Sequence, residues 1–131
     1  MASELRVNTL KDASGNNSVA MTYVANGSAK AWVNFTGVSS TSSRDSFNIA
    51  SLTDSGTGHT TIALTSSMAN ANYTGSWFTN SDASSGITNL SNNYAGNFAV
   101  RATGSYQTQC WATNGGADAF HNDSTIHGDL A

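Results

Sequence analysis

Short bursts of alternating apolar and polar residues, separated by turn-forming residues, run along the whole chain. In the clearest burst, residues 29–35, the side chains of Ala31, Val33 and Phe35 fall on one face and Trp32 falls on the other. A period of two predicts a strand with one buried and one exposed face. Because the same pattern recurs from end to end, we predict an all-β protein.

Turn signals join these bursts into hairpins. A glycine-containing turn at 54–58 lies between two apolar bursts and predicts a hairpin across residues 44–65. A tight turn at 104–105 predicts a second hairpin between the bursts at 98–103 and 106–112. Strands at this spacing indicate an antiparallel β-sandwich, jelly-roll-like or Ig-like, or a partly closed barrel.

The chain changes character near Asn26. Residues 1–25 contain two short strand-like bursts, the second at 19–23, and no Trp, whereas aromatic residues become frequent afterwards. We interpret residues 1–25 as a short extended N-terminal arm, and residues 26–131 as the β-sandwich domain. We expect the domain to fold without the arm.

The composition is polar but poorly charged. The chain of 131 residues has 20 Ser, 16 Thr, 15 Asn and 12 Gly, no proline, and only 10% charged residues. These residue types add little helix propensity, and the nearest candidate for one helical turn is 66–72, around Met68. Five Phe, four Tyr and three Trp argue against disorder, because disordered segments are usually poor in aromatic residues.

Charge and hydropathy exclude two classes of partner. The net charge is −3, and the five Lys and Arg are scattered, so we expect no nucleic-acid binding. No apolar run has the length of a membrane span, and no signal-peptide core follows Met1, so we expect no membrane insertion and no signal peptide.

Motifs for catalysis or metal binding are missing from the sequence. His59, His121 and His127 have neither H-x-H nor H-E-x-x-H spacing, and we expect them in solvated loops. The lone Cys110 allows no intramolecular disulfide, and we predict that it is a small buried strand residue. There is no G-x-S-x-G elbow, and the aspartates lie mostly in turn-like contexts. We therefore expect no enzyme activity, no metal and no cofactor.

Aromatic residues set among amide and hydroxyl residues form the remaining candidate site. Such a set suits sugar binding, because rings supply flat apolar surfaces and polar groups fix orientation. Since adjacent strand residues point to opposite faces, one of the pair at 77–78 must lie away from the other. The alternative is that most of these rings fill the core. The candidate ligand-binding residues are Trp77, Phe78, Tyr94, Tyr106 and Trp111.

Four segments in the first 75 residues resemble a known family. They are residues 1–18, 27–35 (GSAKAWVNF), 44–58 (RDSFNIASLTDSGTG) and 68–73 (MANANY). They are similar to segments of tail-fibre-like virion structural proteins of marine tailed phages, especially those that infect cyanobacteria. Beyond residue 75 only the rhythm of strands is shared.

The resemblance implies a virion surface protein, usually a homotrimer. Its N-terminal arm would contact other virion proteins, and its C-terminal loops would contact host surface glycan. The family carries no active-site residues over to this chain. Two alternatives stay open: a capsid decoration or cement protein, and a free-standing lectin-like carbohydrate-binding module.

Overall fold

The computed structural model describes residues 5–80, 95–112 and 115–131, with side chains throughout except at 95–99, 111–112 and 115. Within these ranges the chain forms eleven strands and one short helix. They are β1 (Thr9–Lys11), β2 (Ser18–Ala20), α1 (Met21–Gly27), β3 (Ala31–Thr36), β4 (Ser42–Phe47), β5 (Ile49–Gly56), β6 (His59–Leu64), β7 (Thr74–Asn80), β8 (Ala95–Ala102), β9 (Ser105–Ala112), β10 (Gly115–Gly116) and β11 (His121–His127).

Two antiparallel sheets pack against each other. One has the strand order β4-β3-β11-β7, and the other has the order β5-β6-β9-β8, with β10 beside the end of β9. The predicted all-β antiparallel sandwich is confirmed, and the described strands do not close into a barrel. The strands β1 and β2 form a separate hairpin that precedes the sandwich.

The strand order distinguishes between the two types of sandwich expected. In the Ig arrangement one sheet runs A-B-E-D and the other C-F-G. We letter the strands in chain order with β5 as A, passing over the two-residue β10, so that β6 is B, β8 is D and β9 is E. The sheet of order β5-β6-β9-β8 then runs A-B-E-D. Strands β7 and β11 then occupy positions C and F, and β3, which comes earlier in the chain, occupies the place of G. The order is therefore Ig-like.

The core lies between the two sheets and follows the alternation read from the sequence. In β3 the side chains of Ala31, Val33 and Phe35 are buried, while those between them are half-buried on the outer face. Full burial of one large apolar side chain contributes about 1.5–3 kcal/mol. The remaining buried apolar residues of this cluster are Ile62, Leu64, Met68, Tyr73, Tyr106 and Ile126.

Hydroxyl groups in the core are hydrogen-bonded across the sandwich. The Tyr106 hydroxyl lies 2.8 Å from the Ser124 hydroxyl, which belongs to the opposite sheet. The Tyr73 hydroxyl donates to the carbonyls of Ala102 and Ser105, at 3.1 and 3.0 Å. A chain so rich in hydroxyl residues can form a core because buried polar groups cost little once they are paired.

Asn48 is the corner at which the chain leaves one sheet for the other. Its backbone is left-handed, with φ 58°. Its side-chain amide donates to the carbonyls of Lys30 and Ser66, at 3.0 and 3.1 Å, and its Oδ1 accepts from the Ser66 amide at 2.7 Å. The hairpin predicted across 44–65 is therefore corrected. Only β5 and β6 form it, because this corner sends β4 to the other sheet.

Three other local predictions have different outcomes. The hairpin with a turn at 104–105 is confirmed as β8 and β9. No helical turn forms at 66–72, where Met68 instead makes a β-bridge with Leu130. The burst at 19–23 was predicted as a strand, but the strand ends at Ala20 and the residues after it form α1. Alternation over so few residues therefore does not determine the backbone conformation.

Candidate binding face

The structure separates the predicted ligand-binding residues. Phe78 is 41% exposed on the outer side of the four-stranded sheet. Tyr106 is only 1% exposed and hydrogen-bonds Ser124, so its assignment to a binding surface is corrected: its ring belongs to the core. Tyr94 lies outside the described residues. Trp111 belongs to β9, and its side chain lies outside the described part.

Trp77 points the opposite way from Phe78, as the alternation predicts. It is half-buried and lines a small cavity at one end of the sandwich, beside Cys110 and Asn122. The cavity measures about 10 Å³, which is on the order of the space that one water molecule needs. The indole N–H of Trp77 is buried, with no hydrogen-bond partner among the described residues. Trp77 is thus an interior residue and not part of an outer binding surface.

The outer side of the four-stranded sheet carries rings that sequence reasoning did not assign to a site. Phe47, which is 53% exposed, lies opposite Trp32 on the neighbouring strand, and Trp32 lies opposite Thr125. Sequence alternation places Trp32 outward, but only the strand register brings Phe47 next to it. We call this surface the aromatic face. Its members are Trp32, Asn34, Arg44, Phe47, Phe78 and Asp123.

Polar side chains from three strands meet in the middle of the aromatic face. Asp123 lies between Asn34 and Phe78 in the register of the sheet. The Asn34 amide donates to Oδ1 of Asp123, and Oδ1 of Asn34 accepts from Arg44 at 3.2 Å. These bonds orient the three polar groups relative to one another.

Arg44 also contacts Phe120, at the edge of the aromatic face. Its guanidinium donates to the Phe120 carbonyl at 2.6 Å and lies 4.8 Å from the centre of the Phe120 ring. A cation over an aromatic ring within about 6 Å is attracted to the ring electrons. The pairing of β3 with β4 is irregular next to Asn34, which leaves Arg44 without a direct partner on β3.

The histidines and the cysteine do not form a second site in the described part of the chain. His59 begins β6, and His121 and His127 bound β11, so all three lie in strands and not in the loops expected. Among the described residues, no three His, Cys, Asp or Glu side chains come together as metal ligands would. Cys110 is a buried strand residue, as predicted, and burial raises the pKa of its thiol.

The hairpin and helix before the sandwich are the other unusual surface. Between residues 5 and 28 no side chain is buried; Leu5 is 80% exposed and Tyr23 is 75% exposed. A two-stranded hairpin is marginal alone, and a seven-residue helix is too short to be stable by itself. The arm predicted for residues 1–25 consists of this hairpin and helix, and from here on we use the name arm for residues 5–28. Its other exposed apolar residues are Val7, Leu10, Val19 and Val24.

The turn of the arm hairpin is organised by Asp12. Its carboxylate accepts from the Asn17 amide at 2.6 Å, from the Ser14 hydroxyl at 3.0 Å and from the Asn16 backbone N–H at 3.0 Å. The Asn17 hydrogen bond is the main cause that lowers the pKa of Asp12 below its usual value. The hairpin therefore has a defined turn although neither of its faces is covered.

Comparison with known proteins gives no match to a family model, to a curated protein or to a solved structure. Within the described ranges, no helix has both the length and the apolar character needed to cross a membrane.

Proposed function

We propose that this chain is a structural protein of a phage virion, of the tail-fibre or spike type, exposed on the particle surface as a homotrimer. The arm attaches it to other virion proteins, and the sandwich projects outward. The resemblance of residues 1–75 to fibre-like virion proteins supports this assignment. In this role the chain is a scaffold and not a catalyst.

The observation that carries the proposal is the uncovered arm. Its side chains Leu5, Leu10, Val19 and Tyr23 are apolar and exposed, and together they have no core of their own. A protein gains little from exposing such residues unless a partner covers them, and burial against a partner contributes about 25 cal/mol for each Å². Attachment of the arm to a neighbouring chain accounts for this surface.

A homotrimer also fits the size and composition of the chain. A domain of this length buries a smaller fraction of its surface than a large one does, and symmetric association adds buried area. Light scattering of the purified chain should give a mass three times the 13.6 kDa of one chain. A stable particle of 13.6 kDa would contradict the trimer.

Labelling of particles tests the location. A peptide tag after Ala131, detected with gold-labelled antibody by electron microscopy, should mark the tail fibres or spikes of intact particles. Label spread over the capsid shell would replace the fibre role with that of a decoration protein. Unlabelled particles would exclude a virion role altogether and favour a free lectin-like module.

A further inference from the structure

We propose that the aromatic face binds a neutral oligosaccharide, through stacking on Trp32, Phe47 and Phe78 and hydrogen bonds to Asn34, Arg44 and Asp123. The inference deepens the proposed function, because position on the particle surface would bring this face to host glycan. The binding itself is a property of the purified chain, and it can be measured without particles.

The spacing of the rings is the first argument. Trp32 and Phe47 lie opposite each other on neighbouring strands, whereas Phe78 lies beyond β11. Strands two places apart are separated by about 10 Å, so Trp32 and Phe78 lie about two sugar units apart. The first and third units of a trisaccharide can thus stack near these two rings. Ring faces attract the apolar C–H face of a pyranose because they offer flat, poorly hydrated surfaces.

The polar centre is the second argument. A sugar hydroxyl both donates and accepts, so it needs acceptors and donors close together. The Asp123 carboxylate supplies an acceptor, and the Arg44 guanidinium and the Asn34 amide supply donors. Because these groups already orient each other, a ligand does not have to order them, which lowers the entropic cost of binding.

Charge selects the class of ligand. The aromatic face and its margin carry Arg44 against Asp45 and Asp123, and the whole chain has a net charge of −3. An anionic glycan, a phosphate or a nucleic acid would meet net repulsion there. A second copy of the chain is a poor occupant as well. The centres of protein interfaces are depleted in Asp, and here Asp123 lies at the centre of the face.

A glycan array followed by titration tests the proposal. The purified chain of 131 residues is screened against neutral oligosaccharides, with sulfated and sialylated glycans as anionic comparators. The best neutral ligand is then titrated by calorimetry into the wild type, Phe78→Ala, Asn34→Ala and Tyr23→Ala. Tyr23 is the matched control, because it is an exposed ring in the arm.

Phe78→Ala and Asn34→Ala should each weaken binding about tenfold, and Tyr23→Ala should leave it unchanged. The proposal is overturned if no neutral glycan binds, if anionic glycans bind best, or if Phe78→Ala and Tyr23→Ala behave alike. It is also overturned if Phe78→Ala changes the mass measured by light scattering, since the face would then be a subunit interface. All of these measurements use the purified chain and not particles. The glycan proposal and the virion proposal can therefore fail independently of each other.

Discussion

At the scale of single residues, Asn48 has the clearest structural role. It is the corner between the two sheets, and it combines a left-handed backbone with three side-chain hydrogen bonds to Lys30 and Ser66. Asn tolerates the left-handed region better than other residues with a β-carbon, because its short amide can bond locally. Backbone conformation and side chain therefore act together at this position.

Asn48→Ala should lower the free energy of unfolding by about 2–3 kcal/mol, since it removes the three hydrogen bonds and keeps a strained φ. Asn48→Gly is the matched control: it loses the same bonds but accepts the left-handed backbone. Urea unfolding should place the glycine variant about 1 kcal/mol above the alanine variant. Equal stability of wild type and Asn48→Ala would show that the corner is held by other contacts.

Gly58 shows a second constraint on a single residue, at the turn between β5 and β6. Its φ is 75°, and a β-carbon there would lie 2.3 Å from the Cys110 carbonyl oxygen. Its N–H donates to Asp118 at 2.7 Å, and its carbonyl accepts from the Cys110 N–H. The sequence predicted a turn here, but the close approach to Cys110 depends on how β9 packs.

At the scale of elements, the arm and the sandwich differ in what stabilises them. In the sandwich β3, β6 and β11 bury alternate side chains, whereas β1, β2 and α1 bury none. The arm is held by the backbone bonds of the hairpin, by the Asp12 turn and by hydrogen bonds from Lys30 to Ala25 and Ser28. Such an element contributes little to the folding free energy of the sandwich.

Deletion of residues 1–28 should change the free energy of unfolding of the sandwich by less than about 1 kcal/mol and should keep a single cooperative transition. The matched control is deletion of residues 129–131. This short segment hydrogen-bonds Ala69 and Ser67 at 2.8 and 2.9 Å, and its loss should lower stability more. If the first deletion abolishes cooperative unfolding, the arm is part of the core.

The sequence predicted which residues share a face of a strand, but it did not predict which strands lie next to each other. Trp77 and Phe78 were expected on opposite faces because consecutive strand residues alternate, and they lie so. Which of these two side chains points inward depends on which face of β7 the other sheet covers. The surface role expected of Tyr106 was wrong because a period of two does not say which face is covered.

At the scale of the whole molecule, the two sheets are joined by hydroxyls as well as by apolar contacts. Tyr106 from one sheet reaches Ser124 in the other. Burial raises the pKa of Tyr106 to about 12, an effect that the hydrogen bond between Tyr106 and Ser124 partly offsets. Because the ionised form of Tyr106 is disfavoured in the folded state, the sandwich becomes less stable as the pH rises into the alkaline range.

The contribution of Tyr106 to the free energy of unfolding should be constant up to about pH 10 and should fall between about pH 10 and 12, by about 1.4 kcal/mol for each pH unit. In this window the unfolded state loses the Tyr106 proton first, so rising pH favours unfolding. Urea titrations at several alkaline pH values should show a shallower fall for Tyr106→Phe, because Tyr73 and Cys110, whose pKa values are also raised by burial, still contribute. The same slope in both proteins would mean that Tyr106 ionises as freely when folded.

The sequence by itself determined the all-β class, the strand character of most bursts and the outward position of Trp32, because side-chain direction in a strand is a local property of the backbone. The tertiary structure alone decided which strands are neighbours and in what register. Asn34 and Asp123 are 89 positions apart in the chain, yet their side chains are hydrogen-bonded. No local pattern encodes such a pairing, since it depends on the simultaneous burial of the inner faces of β3 and β11. The candidate binding face exists only as a consequence of that packing.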